Sequence, residues 1–498
     1  MKINLIKRFF DLLKSKPKSE SFTDNKVPTN VDEVIKPLDK SNVSEPSDIS
    51  TTQKPEYVNI IEKEDLEIII GFDFGTSCSK VVLRDVPRNI SYAVDFGKYG
   101  HKTNTFLLPT RLYLKKDNTF SFQSGGTLFK DIKTNLIDNP DEKLTDNLTN
   151  TDIAIAYFGC AFQQVREWFI KMKGDIYLRN NIIWQINVGI PARDYSNSTL
   201  VTLFRYVTLL GWELSLNTDE ITIEKIHQLI SKIPDLKNQG ESWLSIHPED
   251  IYAIPEIIAA IVGYAKSRMR KDGMYFLMDV GASTVDVSMF NLFKRDGEIK
   301  YSILWAELGR YGVLSQLITR LNSLPSGIKD RVSINLNLDQ CTDPLPDIYH
   351  YLSDDERHSM VKTDLTFTRE LRNLIGRVIV KVKIDQNPND STWGNGIPIF
   401  ITGGGSEIDY YKEILLSKFL ELSNMKIGYP NIVDLPNLED LEIGDQSLSV
   451  IKRFSSAYGL SYRESDIGTI IGAGSIEAIS KYEFVVDYSD RYIDKDFI

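Results

Sequence analysis

Two stretches of the chain share one pattern of apolar and polar positions. Residues 66–86, LEIIIGFDFGTSCSKVVLRDV, pass from an apolar run through a glycine-containing turn into an alternating run. Residues 275–290, YFLMDVGASTVDVSMF, repeat that order. A short apolar run predicts a buried strand, and strict alternation predicts a half-buried one. The sequence therefore predicts two β-hairpins with equivalent turns at Asp73–Ser77 and Asp279–Ser283.

Helical and strand patterns alternate through the rest of the chain. The apolar spacing predicts helices at Ala154–Lys173, Ser198–Leu210 and Thr366–Lys383, and strands at Trp184–Gly189 and Ile397–Thr402. Residues 216–250 and 324–362 are polar and poorly periodic, which indicates insertions or peripheral helices. Alternating helices and strands favour a layered α/β fold. Together with the repeated hairpin, the pattern predicts a duplicated α/β architecture.

The N-terminal region differs from the rest of the chain. Residues 1–16, MKINLIKRFFDLLKSK, have apolar positions at helical spacing, at Ile3, Ile6, Phe10 and Leu13. Within residues 1–18, six basic residues against the single acidic Asp11 give a formal charge of +5. Residues 17–64 are rich in polar residues and proline, which indicates a disordered linker. The sequence predicts a basic amphipathic helix that binds a membrane surface or docks a partner, or has no role at all.

Composition limits the classes of function. The chain has 58 basic and 69 acidic residues, a formal charge of −11, which argues against broad nucleic-acid binding. Its three cysteines, Cys78, Cys160 and Cys341, are far apart, as expected in a reducing cytoplasm. The longest strongly apolar stretch, residues 253–265, is too short to cross a bilayer, and no secretory signal opens the chain. We expect a cytoplasmic protein, with the inner face of the membrane as a peripheral location.

The two turns have the chemistry of a phosphate site. Backbone N–H groups in a glycine-containing turn bind phosphate oxygens, and a neighbouring carboxylate holds a hydrated Mg²⁺. Gly75, Thr76 and Ser77 form one such group, and Gly281, Ala282 and Ser283 form the other. Either turn alone is also consistent with an ordinary hairpin that carries a solvated aspartate. Two such turns at the ends of apolar strands favour nucleotide binding.

Five segments, in this order, resemble the motifs of the superfamily that contains actin, hexokinase and the seventy-kilodalton heat-shock chaperones. They are GFDFGTSCSKVVL and LMDVGASTVDVSMF for phosphate, AIPEIIAAIVGYA and RFSSAYGLSY for the two connecting helices, and IFITGGGSEI for adenosine. INVGIPAR and LGRYG are similar to chaperone segments. The resemblance implies a two-lobed actin-like ATPase fold with duplicated ribonuclease-H-like subdomains. It assigns residues 65–270 to lobe I and 271–455 to lobe II, and residues 456–498 to the second connecting helix and a segment returning to lobe I.

The resemblance also implies site residues. A hydrated Mg²⁺ would lie among Asp73, Asp279 and Asp286. The catalytic residues would be Glu256, Asp279, Thr284 and Lys133. The nucleotide-binding residues would be Gly75, Thr76, Ser77, Gly281, Ala282, Ser283, Gly403, Gly404, Gly405 and Ser406. Glu256 would orient the attacking water, although a carboxylate at the start of a helix is equally well explained by the helix dipole. Lys133 would reach the phosphates, with Lys130 as its rival and a solvated helix lysine as the alternative.

Departures from the chaperone pattern narrow the expected function. Ala282 and Ser283 replace glycines, which predicts slower hydrolysis, and no arginine follows the glycines at 403–405 closely. The 39 residues after Gly459 are too few for a peptide-binding domain. The sequence predicts a slowly hydrolysing ATP and ADP switch that controls an unidentified protein partner. The alternatives are a membrane-tethered, self-assembling bacterial actin homologue and a small-molecule kinase of the same superfamily.

Overall fold

A computed structural model describes residues 63–217, 219–233, 244–336, 348–444, 446 and 448–472. These residues form a mixed α/β fold, in agreement with the predicted fold class. The predicted helix at 1–16, nearly all of the linker at 17–64, Cys341 and the chain after residue 472 lie outside the described residues. Their assignments stay predictions.

The strands are numbered in chain order. They are β1 (Glu64–Asp73), β2 (Cys78–Asp85), β3 (Ile90–Ala93), β4 (Leu108–Pro109), β5 (Leu112–Leu114), β6 (Phe120–Ser121), β7 (Thr127–Phe129), β8 (Lys143–Thr145), β9 (Leu148–Thr149), β10 (Asn180–Ile190), β11 (Ile251–Pro255), β12 (Gly273–Val280), β13 (Val285–Arg295), β14 (Glu298–Gly309), β15 (Pro398–Thr402), β16 (Asn431–Ile432), β17 (Leu441–Glu442) and β18 (Thr469–Ile471). The two predicted hairpins are confirmed as the antiparallel pairs β1–β2 and β12–β13.

The helices are numbered in the same way. They are α1 (Ile132–Asp138), α2 (Asn150–Met172), α3 (Gly174–Arg179), α4 (Ser198–Ser215), α5 (Ile223–Lys232), α6 (Glu256–Lys266), α7 (Val313–Ser323), α8 (Ser326–Leu336), α9 (Asp354–Lys381), α10 (Thr392–Asn395), α11 (Asp409–Glu421), α12 (Leu448–Lys452), α13 (Ser455–Leu460) and α14 (Glu464–Ile467). The helices predicted at Ala154–Lys173, Ser198–Leu210 and Thr366–Lys383 are present as α2, α4 and α9. Helix α2 begins before its predicted start at Ala154 because Thr149 and Asp152 form a capping box.

Two large sheets have the same strand order. The first sheet runs β11-β10-β1-β2-β3-β17, and the second runs β16-β15-β12-β13-β14-β18. In each sheet the hairpin continues into a third antiparallel strand, and two later strands join in parallel on the other side. The predicted duplication of the hairpin therefore extends to five strands of each sheet.

The last strand of each sheet comes from the C-terminal part of the chain. Strand β17, which lies within the range predicted for lobe II, pairs in parallel with β3 of the first sheet. Strand β18, which lies within the segment predicted to return to lobe I, pairs in parallel with β14 of the second sheet. The chain after residue 430 thus contributes to both sheets.

Each sheet has an apolar core of its own. Helices α2 and α4 pack on one face of the first sheet around aromatic residues such as Phe72, Phe158 and Trp212, all at most 1% exposed. Helices α9 and α11 pack on the second sheet in the same way. The other face of the second sheet packs against α6, whose Ile257, Ile258 and Ile261 are fully buried. Burial of these side chains is the main force that holds the layers together.

Helices α6 and α13 cross at the junction of the two sheets. They are the two segments with the predicted connecting-helix pattern. A Cβ added at Gly459 of α13 would lie 1.9 Å from the carbonyl oxygen of Ala259 in α6. A Cβ added at Gly71 of β1 would lie 2.3 Å from the carbonyl oxygen of Ala457. The absence of side chains at both glycines lets α13 lie directly against α6 and the first sheet.

Among the described residues, no helix has the length and the apolar character needed to span a membrane.

Candidate functional site

A cleft with a cavity volume of about 60 Å³, partly open to solvent, lies between elements of the two sheets. Six of its lining residues were predicted from the sequence: Thr76, Lys133, Glu256, Asp279, Thr284 and Asp286. Asp138, Arg193 and Arg310 also line it and were not predicted. Residues separated by more than 200 positions in the chain therefore meet in one cleft.

The second hairpin brings two aspartates to the wall of the cleft, and Asp73 of the first hairpin lies close enough for its charge to act on Asp279 and Glu256. Asp73 ends β1, and Asp279 is the next-to-last residue of β12. Asp286 lies on β13 directly opposite Asp279 in the antiparallel register. Directly opposed residues of an antiparallel pair have neighbouring side chains. The hairpin geometry thus explains why Asp279 and Asp286 form a close carboxylate pair.

The Asp286 carboxylate of the second hairpin is buried with few partners. Burial, followed by the charge of Asp279, raises the pKa of Asp286 to about 7. One Asp286 oxygen, Oδ2, accepts a hydrogen bond from the backbone N–H of Ala192 at 3.3 Å. The other oxygen, Oδ1, is buried and has no hydrogen-bond partner among the described residues. An unsatisfied buried carboxylate oxygen is costly, and a water molecule or a cation would satisfy it.

The surroundings of Asp279 raise its pKa as well. Burial raises its pKa, the hydrogen bond from Thr402 Oγ1 at 2.9 Å lowers it, and the charge of Asp73 raises it further. Its side chain therefore lies where removal from water and a neighbouring negative charge both oppose ionisation. A bound cation would relieve both effects.

Lys133 and Glu256 form a buried ion pair across the cleft. Lys133 Nζ lies 2.5 Å from Glu256 Oε1, and the two side chains are only 8% and 14% exposed. Burial raises the pKa of Glu256, the charge of Lys133 lowers it, and the charge of Asp73 raises it again. Lys130, the rival for the phosphate-binding role, is exposed and does not line the cleft. The structure thus brings Lys133 and not Lys130 to the predicted site.

The first turn is neutralised by a lysine that the sequence analysis did not single out. Lys80 of β2 forms a salt bridge with Asp73, and their side chains are 15% and 8% exposed. The turn itself is held by a hydrogen bond from Thr110 Oγ1 to the carbonyl of Gly75 at 2.6 Å. The one sequence signal for this contact was the pairing of the predicted hairpin, which places Lys80 directly opposite Asp73.

The second turn is fixed by the segment that follows β14. The backbone N–H of Leu314 donates to Ala282 at 2.7 Å, and Ser315 Oγ donates to the carbonyl of Ser283 at 2.6 Å. The N–H of Gly312 donates to the carbonyl oxygen of Ser283, and the N–H of Val313 donates to that of Gly281, both at 3.2 Å. The carbonyls of the second turn are therefore used in the packing of this segment.

The glycine loop at 403–406 lies against the second turn. Gly403 has φ +85°, and a Cβ there would lie 2.5 Å from Oδ1 of Asp279. The N–H of Gly405 donates to the carbonyl of Val280 at 2.9 Å. Ser406 Oγ donates to the carbonyl of Gly403 at 2.8 Å. Glycine at 403 is thus required both by its backbone conformation and by the close approach of Asp279.

An arginine reaches the same glycine loop from a distant segment. A Cβ added at Gly404 would lie 3.3 Å from Nη2 of Arg453. Arg453 opens the RFSSAYGLSY segment just before α13. The sequence analysis found no arginine close after the glycines because the chain supplies one from elsewhere. Proximity of this kind leaves no local sequence signal.

No group of three or more His, Cys, Asp or Glu side chains in the described part of the chain is arranged to hold a metal ion directly. The three aspartates therefore do not form a chelating cluster. They remain compatible with a hydrated cation held through water, which is the arrangement predicted from the sequence.

Neither a scan of protein-family models nor a search of curated proteins finds a match for this chain. The interpretation of the site depends on its geometry and chemistry.

Proposed function

We propose that this chain is an ATP-binding conformational switch with a two-lobed actin-like fold, which hydrolyses ATP slowly and reports its nucleotide state to a protein partner in the cytoplasm. The observation that carries the proposal is the cleft between two matching hairpin turns, with Asp286 Oδ1 buried and unsatisfied beside Asp279. Such a surplus of buried carboxylate oxygen suits a cation that arrives with a polyphosphate.

The fold supports the proposal independently of the charges. Both sheets have the order of a three-strand antiparallel meander joined by two parallel strands. Helix α6 packs on the second sheet and α13 on the first, and the two helices contact each other. Two related units joined by two crossing helices are suited to a hinge motion around a ligand in the cleft.

The residues present fit a hydrated Mg²⁺. Oxygen ligands are those that Mg²⁺ prefers, and it usually keeps several waters and binds one or two carboxylates together with phosphates. Asp279 and Asp286 would hold the hydrated ion, with Asp73 on the opposite turn. When bound, the ion would neutralise charge on the phosphate groups.

Lys133 and Lys80 supply the cations for phosphate oxygens. Both lysines are largely buried beside carboxylates, so each can turn from its carboxylate partner to a phosphate without crossing the cleft. Glu256 loses its ion-pair partner when Lys133 does so. Its carboxylate is then available to orient a water molecule for in-line attack on the terminal phosphate.

The second turn supports slow hydrolysis. Its carbonyls are already bonded to the segment at 312–315, so rearrangement of this turn requires movement of that segment as well. Phosphate binding is therefore coupled to a larger element, as expected of a switch. The predicted docking helix at residues 1–16 lies outside the described residues, and its role as a tether to a partner or membrane is part of the same proposal.

Nucleotide binding and turnover by wild type and the Glu256→Gln variant test this function. We expect both proteins to bind MgATP, and Glu256→Gln to lower single-turnover hydrolysis at least about 100-fold, the scale of a lost base or water-orienting group. Glu413→Gln, an exposed glutamate on α11, is the control and should leave turnover unchanged. Failure of wild type to bind MgATP would remove the proposal.

The same sample separates the two alternatives. ATP-dependent light scattering that grows with protein concentration would favour a filament-forming protein. ATP consumption that depends on an added small metabolite would favour a kinase. Stable, monodisperse protein with metabolite-independent turnover is the outcome expected of the proposed switch.

A further inference from the structure

An ion pair spans the mouth of the cleft. Arg310 Nη2 contacts Asp138 Oδ2, and both residues line the same cleft as the buried carboxylates. Asp138 ends α1, whereas Arg310 follows β14 of the second sheet. The Arg310–Asp138 ion pair therefore joins the two walls of the cleft at its entrance.

Each member of this pair is attached to an element of the site. Helix α1 carries Lys133 in its first turn and Asp138 at its last residue. Arg310 lies two residues before Gly312, where the backbone bonds to the second turn begin. A Cβ at Gly312 would lie 2.5 Å from the carbonyl of Ala282, so the segment and the turn pack tightly and move together. Movement at either phosphate-binding element thus reaches the ion pair.

The pair is suited to exchange partners. The Arg310 and Asp138 side chains are 69% and 42% exposed, and exposed ion pairs contribute little stability. A carboxylate at the C-terminal end of a helix is disfavoured by the helix dipole, which makes a cation partner useful to Asp138. A guanidinium can bind a phosphate through two parallel hydrogen bonds, whereas Arg310 makes one contact with Asp138.

We infer that Arg310 senses the terminal phosphate: it binds Asp138 when that phosphate is absent and exchanges Asp138 for the phosphate when ATP is bound. The inference rests on the proposed function and deepens it by naming the residue that distinguishes ATP from ADP. The exchange breaks the direct contact between Arg310 and Asp138 and replaces it with a contact between Arg310 and the bound nucleotide. Arg310 is a positioning and sensing residue and takes no part in the attack on phosphorus.

Opposite effects of two substitutions test the exchange. Asp138→Asn removes the competitor of the phosphate and should tighten binding of a non-hydrolysable ATP analogue about two- to five-fold. Arg310→Met removes the phosphate ligand and should weaken binding of that analogue about ten-fold. Binding of ADP should change less than about two-fold in either variant, because ADP lacks the group that Arg310 contacts.

The matched controls are Asp385→Asn and Arg369→Met. Asp385 is 46% exposed and paired with Lys381, and Arg369 is 68% exposed and paired with Glu370, so each has the exposure and pairing of its counterpart. Neither control lines the cleft, and neither should alter binding of the ATP analogue or of ADP.

Four results are distinguishable from the expected one. Equal shifts for the ATP analogue and ADP, or weaker analogue binding by Asp138→Asn, would make the pair a simple brace and overturn the inference alone. Unchanged analogue binding by Arg310→Met would also overturn it. Wild-type protein that binds neither nucleotide would contradict the proposed function, and the inference with it.

Discussion

The two hairpin turns have the same backbone design and opposite electrostatics. In the first, the Asp73 side chain is only 8% exposed and forms a salt bridge with Lys80 of the same hairpin. In the second, the described structure gives Asp279 and Asp286 no salt bridge, and the pKa of both is raised first by burial. The two hairpins thus share a backbone conformation but differ in whether their aspartates have an ion-pair partner. The Asp73 carboxylate has an ion-pair partner within the fold, whereas Asp286 Oδ1 is buried and has no hydrogen-bond partner among the described residues.

The difference suggests a division of roles between the halves. The first half contributes Lys80 and Lys133, which suit phosphate oxygens. The second half contributes the carboxylates Asp279 and Asp286, which suit a hydrated cation. A magnesium–nucleotide complex carries both kinds of group, so it would contact both halves at once.

Breaking the first turn should have the largest effect on stability. Lys80→Met leaves the buried Asp73 carboxylate without its partner, and we expect a loss of about 3–5 kcal/mol in the free energy of unfolding. Urea denaturation of the nucleotide-free protein measures it. The control Lys225→Met removes a lysine paired with the largely exposed Asp219, and it should cost less than about 1 kcal/mol. Equal, small losses in both variants would contradict the account of the first turn.

The junction between the two halves should be the next most sensitive feature. Gly459→Ala places a methyl group against the carbonyl of Ala259, and overpacking of this kind costs about 1–3 kcal/mol. Gly263→Ala on α6 is the matched control, because a Cβ there has its nearest neighbour at 3.5 Å. We expect thermal unfolding to show a lower midpoint for Gly459→Ala only. A tolerated alanine at 459 would show that α6 and α13 do not pack as described.

A pH dependence from the second turn should be comparable in size to the effect at the junction. Asp286 has a pKa of about 7 in the fold, against about 4 in an unfolded chain. Between these two pKa values the folded protein keeps the Asp286 proton, whereas the unfolded chain has lost it. The free energy of unfolding is therefore greatest at low pH and falls as the pH rises through 7. Between pH 5 and 8 the nucleotide-free wild type should lose about 1–3 kcal/mol that Asp286→Asn retains.

Denaturation series at several pH values provide this measurement. Parallel stability curves for wild type and Asp286→Asn would contradict the burial of an unsatisfied carboxylate at this position. A steeper decline in the variant would do so as well.

The secondary structure near the site was predictable because it depends on local patterns. Both hairpins and the strand before Gly403 follow from apolar spacing and glycine positions, whereas helix α6 was expected from its resemblance to a connecting helix, and the structure has all of them. The convergence of Thr76, Lys133, Glu256, Asp279, Thr284 and Asp286 on one cleft also agrees with the predicted site. The actin-like arrangement itself, and nucleotide binding, stay proposals.

The contacts made by long basic side chains were not predictable. Lys80, Arg310 and Arg453 were passed over because a basic residue on a strand or loop is usually solvated, and its partner is set by tertiary packing. The choice between Lys130 and Lys133 was left open for the same reason. Only the position of α1 over the cleft shows which of the two reaches Glu256.

Calorimetric titration of the purified protein with ATP, in the presence of Mg²⁺ and then of excess EDTA, tests the central claim most directly. Wild type should bind MgATP at least about ten-fold more tightly than metal-free ATP, since the second turn lacks its cation without Mg²⁺. Asp279→Asn should abolish that preference, whereas the exposed control Asp385→Asn should keep it. Affinity that is indifferent to both Mg²⁺ and Asp279 would contradict the account.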